Sequence, residues 1–89
     1  MTTKRFDEIQ PSEWVLAANF HGIKAWRLVA KSELTGHGQA DGDGSVRRYW
    51  GLTFATGEAA MQPYEDGIHP VFSYTTILGF PEESVTVRG

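Results

Sequence analysis

The sequence predicts an all-β fold, a small antiparallel sheet or partly closed barrel of about four to six strands. Short stretches that alternate apolar with polar residues predict the strands, and glycine-rich or proline-containing turns separate them. The chain of 89 residues contains 10 glycines, 3 tryptophans and 5 phenylalanines. Its length fits one domain over residues 1–89, and the large aromatic side chains can fill the core.

Residues 13–21 fit either of two structures. As a strand, the stretch places its large apolar residues on one face. As a helix over residues 12–21, it has Ser12 as the N-cap and Gly22 just beyond its C-terminal end. We take the strand and keep an α+β fold with this helix as the alternative.

Residues 23–34 alternate as a second strand and predict a hairpin with the first. A three-residue loop over 21–23 places Leu16 opposite Leu28 and puts the apolar residues of both strands on one face. Since a slip of one residue reverses every side chain, the buried face should decide the register.

Two segments lack large apolar groups. Residues 1–5 have nothing to bury and are expected to fray. Residues 35–45 include four glycines and are expected to form a flexible loop.

The stretch Val46–Phe54 is the clearest strand, with a mostly apolar face and a second face that carries Arg47 and Tyr49. Residues 58–64 predict a shorter return strand and residues 71–80 a strand or an irregular packed segment. Residues 84–88 predict a last edge strand or a disordered tail. The predicted core is centred on Trp14, Leu16, Trp26, Leu28, Trp50, Leu52 and Phe54.

Composition limits the environment. The chain has no cysteine, which excludes disulfides and cysteine-based metal or redox sites. Its apolar runs are too short to span a membrane, and its first residues lack the apolar region of a signal peptide. We therefore expect a soluble, cytoplasmic protein without a membrane association.

Catalytic and metal-binding patterns are not indicated. The histidines at positions 21, 37 and 69 lack the spacing of a zinc site. A calcium loop aligned on Gly44 would place Trp50 where a bidentate glutamate is needed. The serines lie in no nucleophile elbow. We expect no metal, no cofactor and no enzymatic activity.

The best binding candidates are basic and aromatic residues of the second and third strands, namely Lys24, Arg27, Arg47, Arg48 and Tyr49. Such residues on one sheet face can hold a single-stranded nucleic acid, but the net charge of −3 argues against a basic footprint. Aromatic and arginine side chains are also enriched at protein interfaces. The sequence thus favours a non-enzymatic protein-binding or regulatory module that acts by surface docking.

Three alternatives remain open. One is binding of single-stranded nucleic acid through the basic and aromatic face. A second is a small ligand-binding protein or enzyme with a site between protomers. The third is self-association, in which the chain binds a second copy of itself through an edge strand or an aromatic patch.

Overall fold

A computed structural model of the chain describes residues 2–65, 67–68 and 70–88. Their strands form one open antiparallel sheet, which confirms the all-β prediction. In chain order the strands are β1 (Thr2–Arg5), β2 (Trp14–Ala18), β3 (Lys24–Ala40), β4 (Val46–Phe54), β5 (Met61–Pro63), β6 (Thr76–Gly79) and β7 (Ser84–Val87). No helix among the described residues has the length and apolar character needed to cross a membrane.

The long strand β3 connects the two halves of the sheet. Neighbours follow the order β1-β7-β2-β3-β4-β6, and β5 pairs with the free side of the first half of β3. The register shifts between Val29 and Lys31, where β3 passes from β2 and β5 to its pairing with β4. Such irregularities bend a strand and increase its twist. A single strand can therefore serve both halves.

The core is a single cluster of buried apolar side chains. Its buried residues come from five strands or turns far apart in the sequence, and they are Phe6, Ile9, Val15, Ala17, Val29, Leu52, Phe54 and Val87. Partly buried side chains close it, namely Trp50, Phe72, Tyr74, Ile77 and Val85. The predicted core residues of β4 are thus confirmed.

The predicted core face of β2 is wrong. Val15 and Ala17 point into the core, whereas Trp14 and Leu16 lie half-buried on the opposite face. The reason is the neighbouring strand β7. Val15 lies opposite Val87, so the two side chains share one face of the sheet, and both belong to the core.

The β2–β3 hairpin also differs from its predicted register. Leu16 lies opposite Trp26 rather than Leu28, because the connecting turn spans residues 19–23 instead of 21–23. The shift of two residues keeps both side chains on one face. Trp26 is buried there, 6.1 Å from the ring of Tyr64 between centroids, and Leu28 is half-buried.

Other segments are more regular than the sequence predicts. Residues 2–5 form β1 on the outer side of β7, so the segment expected to fray is a paired strand. Residues 35–40 belong to β3, and Gly38 lies opposite Arg48 on β4. Residues 14–18 are extended, so the alternative helix over 12–21 does not form. Strand β7 lies between β1 and β2 and is not an edge strand.

Candidate functional site

The five predicted binding residues do not converge on one surface. Lys24 is exposed at the start of β3, with its ammonium nitrogen 5.9 Å from the centre of the Tyr64 ring. Arg27, on the same strand, points into the core. Of the other three residues, Arg47 and Arg48 lie on β4 opposite Gln39 and Gly38, and Tyr49 lies next to them on β4, at the register shift between Leu34 and Gly38. We call this projecting hairpin, residues 35–49, the arm.

On one face of the arm, Arg47 and Tyr49 are engaged by residues that follow β6. The guanidinium carbon of Arg47 lies 3.9 Å from the centre of the Phe80 ring, and Arg47 forms an ion pair with Glu82. The rings of Tyr49 and Phe80 are 5.1 Å apart between centroids. These contacts within the chain occupy the groups that were predicted to meet a partner.

On the other side of the arm, Arg48 donates a hydrogen bond from Nε to the carbonyl oxygen of Thr35 at 2.8 Å. The Thr35 hydroxyl in turn donates to the carbonyl oxygen of Tyr49 at 2.8 Å and fixes the irregular pairing there. Arg48 thus helps to shape the arm.

The tip of the arm is acidic. The hydroxyl of Ser45 donates to a carboxylate oxygen of Asp43 at 2.6 Å, and a carboxylate oxygen of Asp41 lies 3.2 Å from the same hydroxyl. Hydrogen bonds from the Ser45 hydroxyl and backbone N–H hold the pKa of Asp43 below its usual value. Two carboxylates at the tip oppose the approach of a phosphate backbone.

Arg27 is the most unusual of the predicted residues, because it is charged and only 6% exposed. Its guanidinium carbon lies 4.3 Å from the ring centre of Phe54 and 4.4 Å from that of Phe72. Its Nη1 donates to the carbonyl oxygen of Tyr74 at 2.8 Å. Burial lowers the pKa of Arg27, since the charged form loses hydration. Arg27 is therefore a core residue with a charge.

An open cleft of about 410 Å³ leads to Arg27. It lies between residues 55–57 and residues 70–75, with Met61 contributing to its wall. The floor is aromatic, because Phe72 and Tyr74 pack edge to face with centroids 5.5 Å apart. The Tyr74 hydroxyl donates to the carbonyl oxygen of Ala18, and burial raises its pKa. We call this feature the Arg27 cleft.

A second feature lies at the turn between β2 and β3. The side chain of Asn19 accepts hydrogen bonds from the backbone N–H groups of His21 and Ile23, both at 2.9 Å. Its amide nitrogen donates to the carbonyl oxygen of Val71 at 3.3 Å. Gly22 has a φ of 79°, which favours glycine at this position. One asparagine therefore folds the turn and fastens it to the segment after β5.

This turn and the segment to which Asn19 joins it present apolar side chains to solvent. Phe20 is 93% exposed and Val71 is 84% exposed. Shallow grooves of about 580 Å³ and 240 Å³ border this region, and Ile23 lines both of them. We call this region the end surface, and its exposed large apolar residues are Phe20, Ile23, Tyr64, Ile68 and Val71.

Neither the cleft nor the end surface was predicted from the sequence, which named Arg27 only as part of a basic and aromatic sheet face, although each feature left a signal. Arg27 lies in the middle of an otherwise apolar stretch of β3, where a charge is out of place for a half-buried strand. Phe20 lies within the turn between β2 and β3, where polar residues are the rule.

Within the described residues, which exclude His69, no group of three or more histidine or acidic side chains could hold a metal ion. The chain matches no protein-family model, no curated protein and no solved structure at a significant level. The end surface and the Arg27 cleft are the two candidate sites on the described part of the chain.

Proposed function

We propose that this protein is a non-enzymatic module that docks onto a partner protein through the end surface. The observation that carries the proposal is the exposure of Phe20, on the turn ordered by Asn19, and of Val71, on the segment that Asn19 joins to that turn. Burial of one large exposed apolar side chain by a partner contributes about 1.5–3 kcal/mol to the free energy of binding. A turn that is already ordered by hydrogen bonds loses little entropy on binding. The partner is a protein that offers apolar side chains to the grooves on both sides of Ile23.

The nucleic-acid alternative has weaker support. Arg27 is buried, Arg47 is paired with Glu82, and the tip of the arm carries Asp41 and Asp43. Binding to a phosphate backbone depends on free cations that displace counterions. The site between protomers and self-association remain predictions.

The test compares three forms of the protein. The double variant Phe20→Ser/Val71→Ser removes the apolar groups of the end surface. The control Val46→Ser removes an exposed apolar group on the arm, where the side chain is 62% exposed. Peptides are first selected from a displayed random library on the wild-type protein, and their affinities for all three forms are then measured.

We expect selected peptides to be rich in apolar residues and to shift the backbone resonances of Phe20, Ile23 and Val71. The double variant should weaken binding at least about tenfold, whereas Val46→Ser should bind like the wild type. Equal affinity for all three forms would refute docking at the end surface. Light scattering that shows a dimer abolished by the double variant would instead assign the surface to a second copy.

A further inference from the structure

Arg27 lacks the partner that a buried charge normally has. Within the described part of the chain, no carboxylate oxygen lies within 4.0 Å of its nitrogens. Its hydrogen bond to the carbonyl oxygen of Tyr74 uses Nη1. Buried charges are usually paired, because an uncompensated ion loses the hydration that it has in water. The surrounding rings offset part of this cost and carry no negative charge.

The remaining N–H groups of Arg27 face accessible space. Among the described residues, no side-chain nitrogen or oxygen is both fully enclosed and without a hydrogen-bond partner. The nitrogens of Arg27 that lack a partner within the chain therefore keep some accessible surface, and Arg27 is one of the residues that line the cleft. The guanidinium is deep in the molecule and still reachable from outside.

The cleft has the size and lining of a small-molecule site. Its volume of about 410 Å³ falls within the range of typical ligand pockets, roughly 300–1,000 Å³. Aromatic and aliphatic groups line most of it, including Phe72, Met61 and Pro70. Thr56, Ser73 and Thr75 also line it and carry hydroxyl groups. A ligand that fits this lining has an apolar body and one negative charge.

The charge of the site favours a carboxylate. A guanidinium offers a planar pair of N–H groups that matches the two oxygens of a carboxylate. A single cation in apolar surroundings can neutralise one negative charge, whereas a phosphate monoester brings nearly two at neutral pH. We propose that the Arg27 cleft binds small organic monocarboxylates with an aromatic or aliphatic body, which accept hydrogen bonds from Arg27. This proposal does not rest on protein docking at the end surface, although Val71 lines both the cleft and a groove of that surface.

The first experiment is a titration followed by nuclear magnetic resonance of backbone amides and arginine Nε–H groups. The probes are benzoate, phenylacetate, 3-phenylpropionate and hexanoate, each compared with its neutral amide at neutral pH and constant ionic strength. We expect saturable shifts at Arg27, Phe72 and Tyr74 with at least one acid below about 10 mM. The matching amide should bind at least about tenfold more weakly. The proposal is refuted when no acid gives a saturable shift, or when the amides bind equally well.

Variants then assign the binding to the guanidinium. Arg27→Met keeps a long apolar stem that can pack against Phe54, and it should abolish the preference for acids over amides. Arg27→Lys keeps the charge without the planar pair and should bind the acids about tenfold more weakly. The control Lys24→Met removes a cation from the same strand outside the cleft and should leave binding unchanged. Unaltered acid binding by Arg27→Met would overturn the assignment, and Arg27→Lys gives the same test where Arg27→Met does not fold.

A carboxylate could also come from the side chain of another protein. A short acetylated and amidated peptide with a central glutamate, compared with its glutamine counterpart, separates this source from free acids. Binding of the glutamate peptide without binding of any free acid would refute the small-ligand proposal. Binding of free acids with no advantage for the glutamate peptide would support it.

Discussion

Gly79 at the end of β6 packs directly against the ring of Phe6. A Cβ added at Gly79 would lie 2.9 Å from two carbons of that ring and 2.7 Å from a carboxylate oxygen of Glu83. Phe6 is buried and Gly79 is part of an ordinary strand, so the absent side chain is a packing requirement.

Gly79→Ala should therefore destabilise the fold by about 1–3 kcal/mol, the usual cost of adding atoms to a filled core. Urea unfolding followed by tryptophan fluorescence measures the change. The matched control is Gly36→Ala, because a Cβ there meets nothing within 4 Å. Equal stability of both variants would show that Phe6 can move aside without cost.

Phe20→Ser should leave stability unchanged within about 0.5 kcal/mol, because its side chain is almost fully exposed. Phe54→Ala, by contrast, should cost about 3–5 kcal/mol, since Phe54 is buried in the core. Thermal unfolding of the two variants checks this contrast. A large loss in Phe20→Ser would mean that Phe20 is part of the core and would remove it from the end surface.

The hydrogen bond from Trp50 Nε1 to Ser32 Oγ, 2.8 Å long, joins β4 to β3. Ser32→Ala should cost about 0.5–1.5 kcal/mol, because the half-buried indole N–H loses its acceptor. Ser84→Ala, at an exposed position on β7, is the control and should cost less. Combining Ser32→Ala with Trp50→Phe in a double-mutant cycle isolates the pair, and a coupling energy near zero would contradict its role.

Acid should weaken the contact between β1 and the segment before β2. Burial alone would raise the pKa of Glu13, but hydrogen bonds from Lys4 and the backbone N–H of Gln10 outweigh it and lower the pKa below 4.5. Because the folded-state pKa is the lower one, the stabilisation is complete above the unfolded value and is lost as pH falls through the folded value.

Glu13→Gln should therefore lose up to about 1 kcal/mol at neutral pH and show a shallower decline in stability below about pH 5. Denaturant unfolding at several pH values measures both slopes. Identical slopes for Glu13→Gln and the wild type would assign the acid sensitivity to other carboxylates.

Arg47→Gln should cost less than about 1 kcal/mol, since both Arg47 and Glu82 are about half exposed. Salt screens the ion pair, so its share of the lost unfolding free energy should disappear at high salt. The share that persists at high salt measures the contact with Phe80. Urea unfolding at two salt concentrations separates the two contributions. A loss above about 2 kcal/mol would mean that the arm is coupled to the core.

The all-β class and the core face of β4 could be predicted from the sequence. In β4, Trp50, Leu52 and Phe54 alternate with smaller or more polar residues. It could not orient β2, where apolar residues occupy both faces. The larger pair, Trp14 and Leu16, predicted the core face, yet the pairing of Val15 with Val87 decides it. That contact joins residues 72 positions apart and leaves no local pattern.

The candidate site was less predictable for a related reason. A charged residue on a strand is normally solvated, so Arg27 was expected to face a partner. The rings that accept it, Phe72 and Tyr74, come from a segment with no periodic pattern of its own. Likewise, residues 38–40 of the glycine-rich stretch 35–45 are ordered by backbone pairing with β4, which side-chain composition does not reveal.

The pairing of β1 with β7 should have low resistance to mechanical force. Thr2 lies opposite Val87, and the ladder continues inward to Arg5 opposite Ser84. A force that separates Thr2 from Val87 pulls along the hydrogen bonds and meets the residue pairs in succession, each bond contributing about 1 kcal/mol. Strand β1 should then separate from β7 one residue pair at a time, at forces too small to unfold the core.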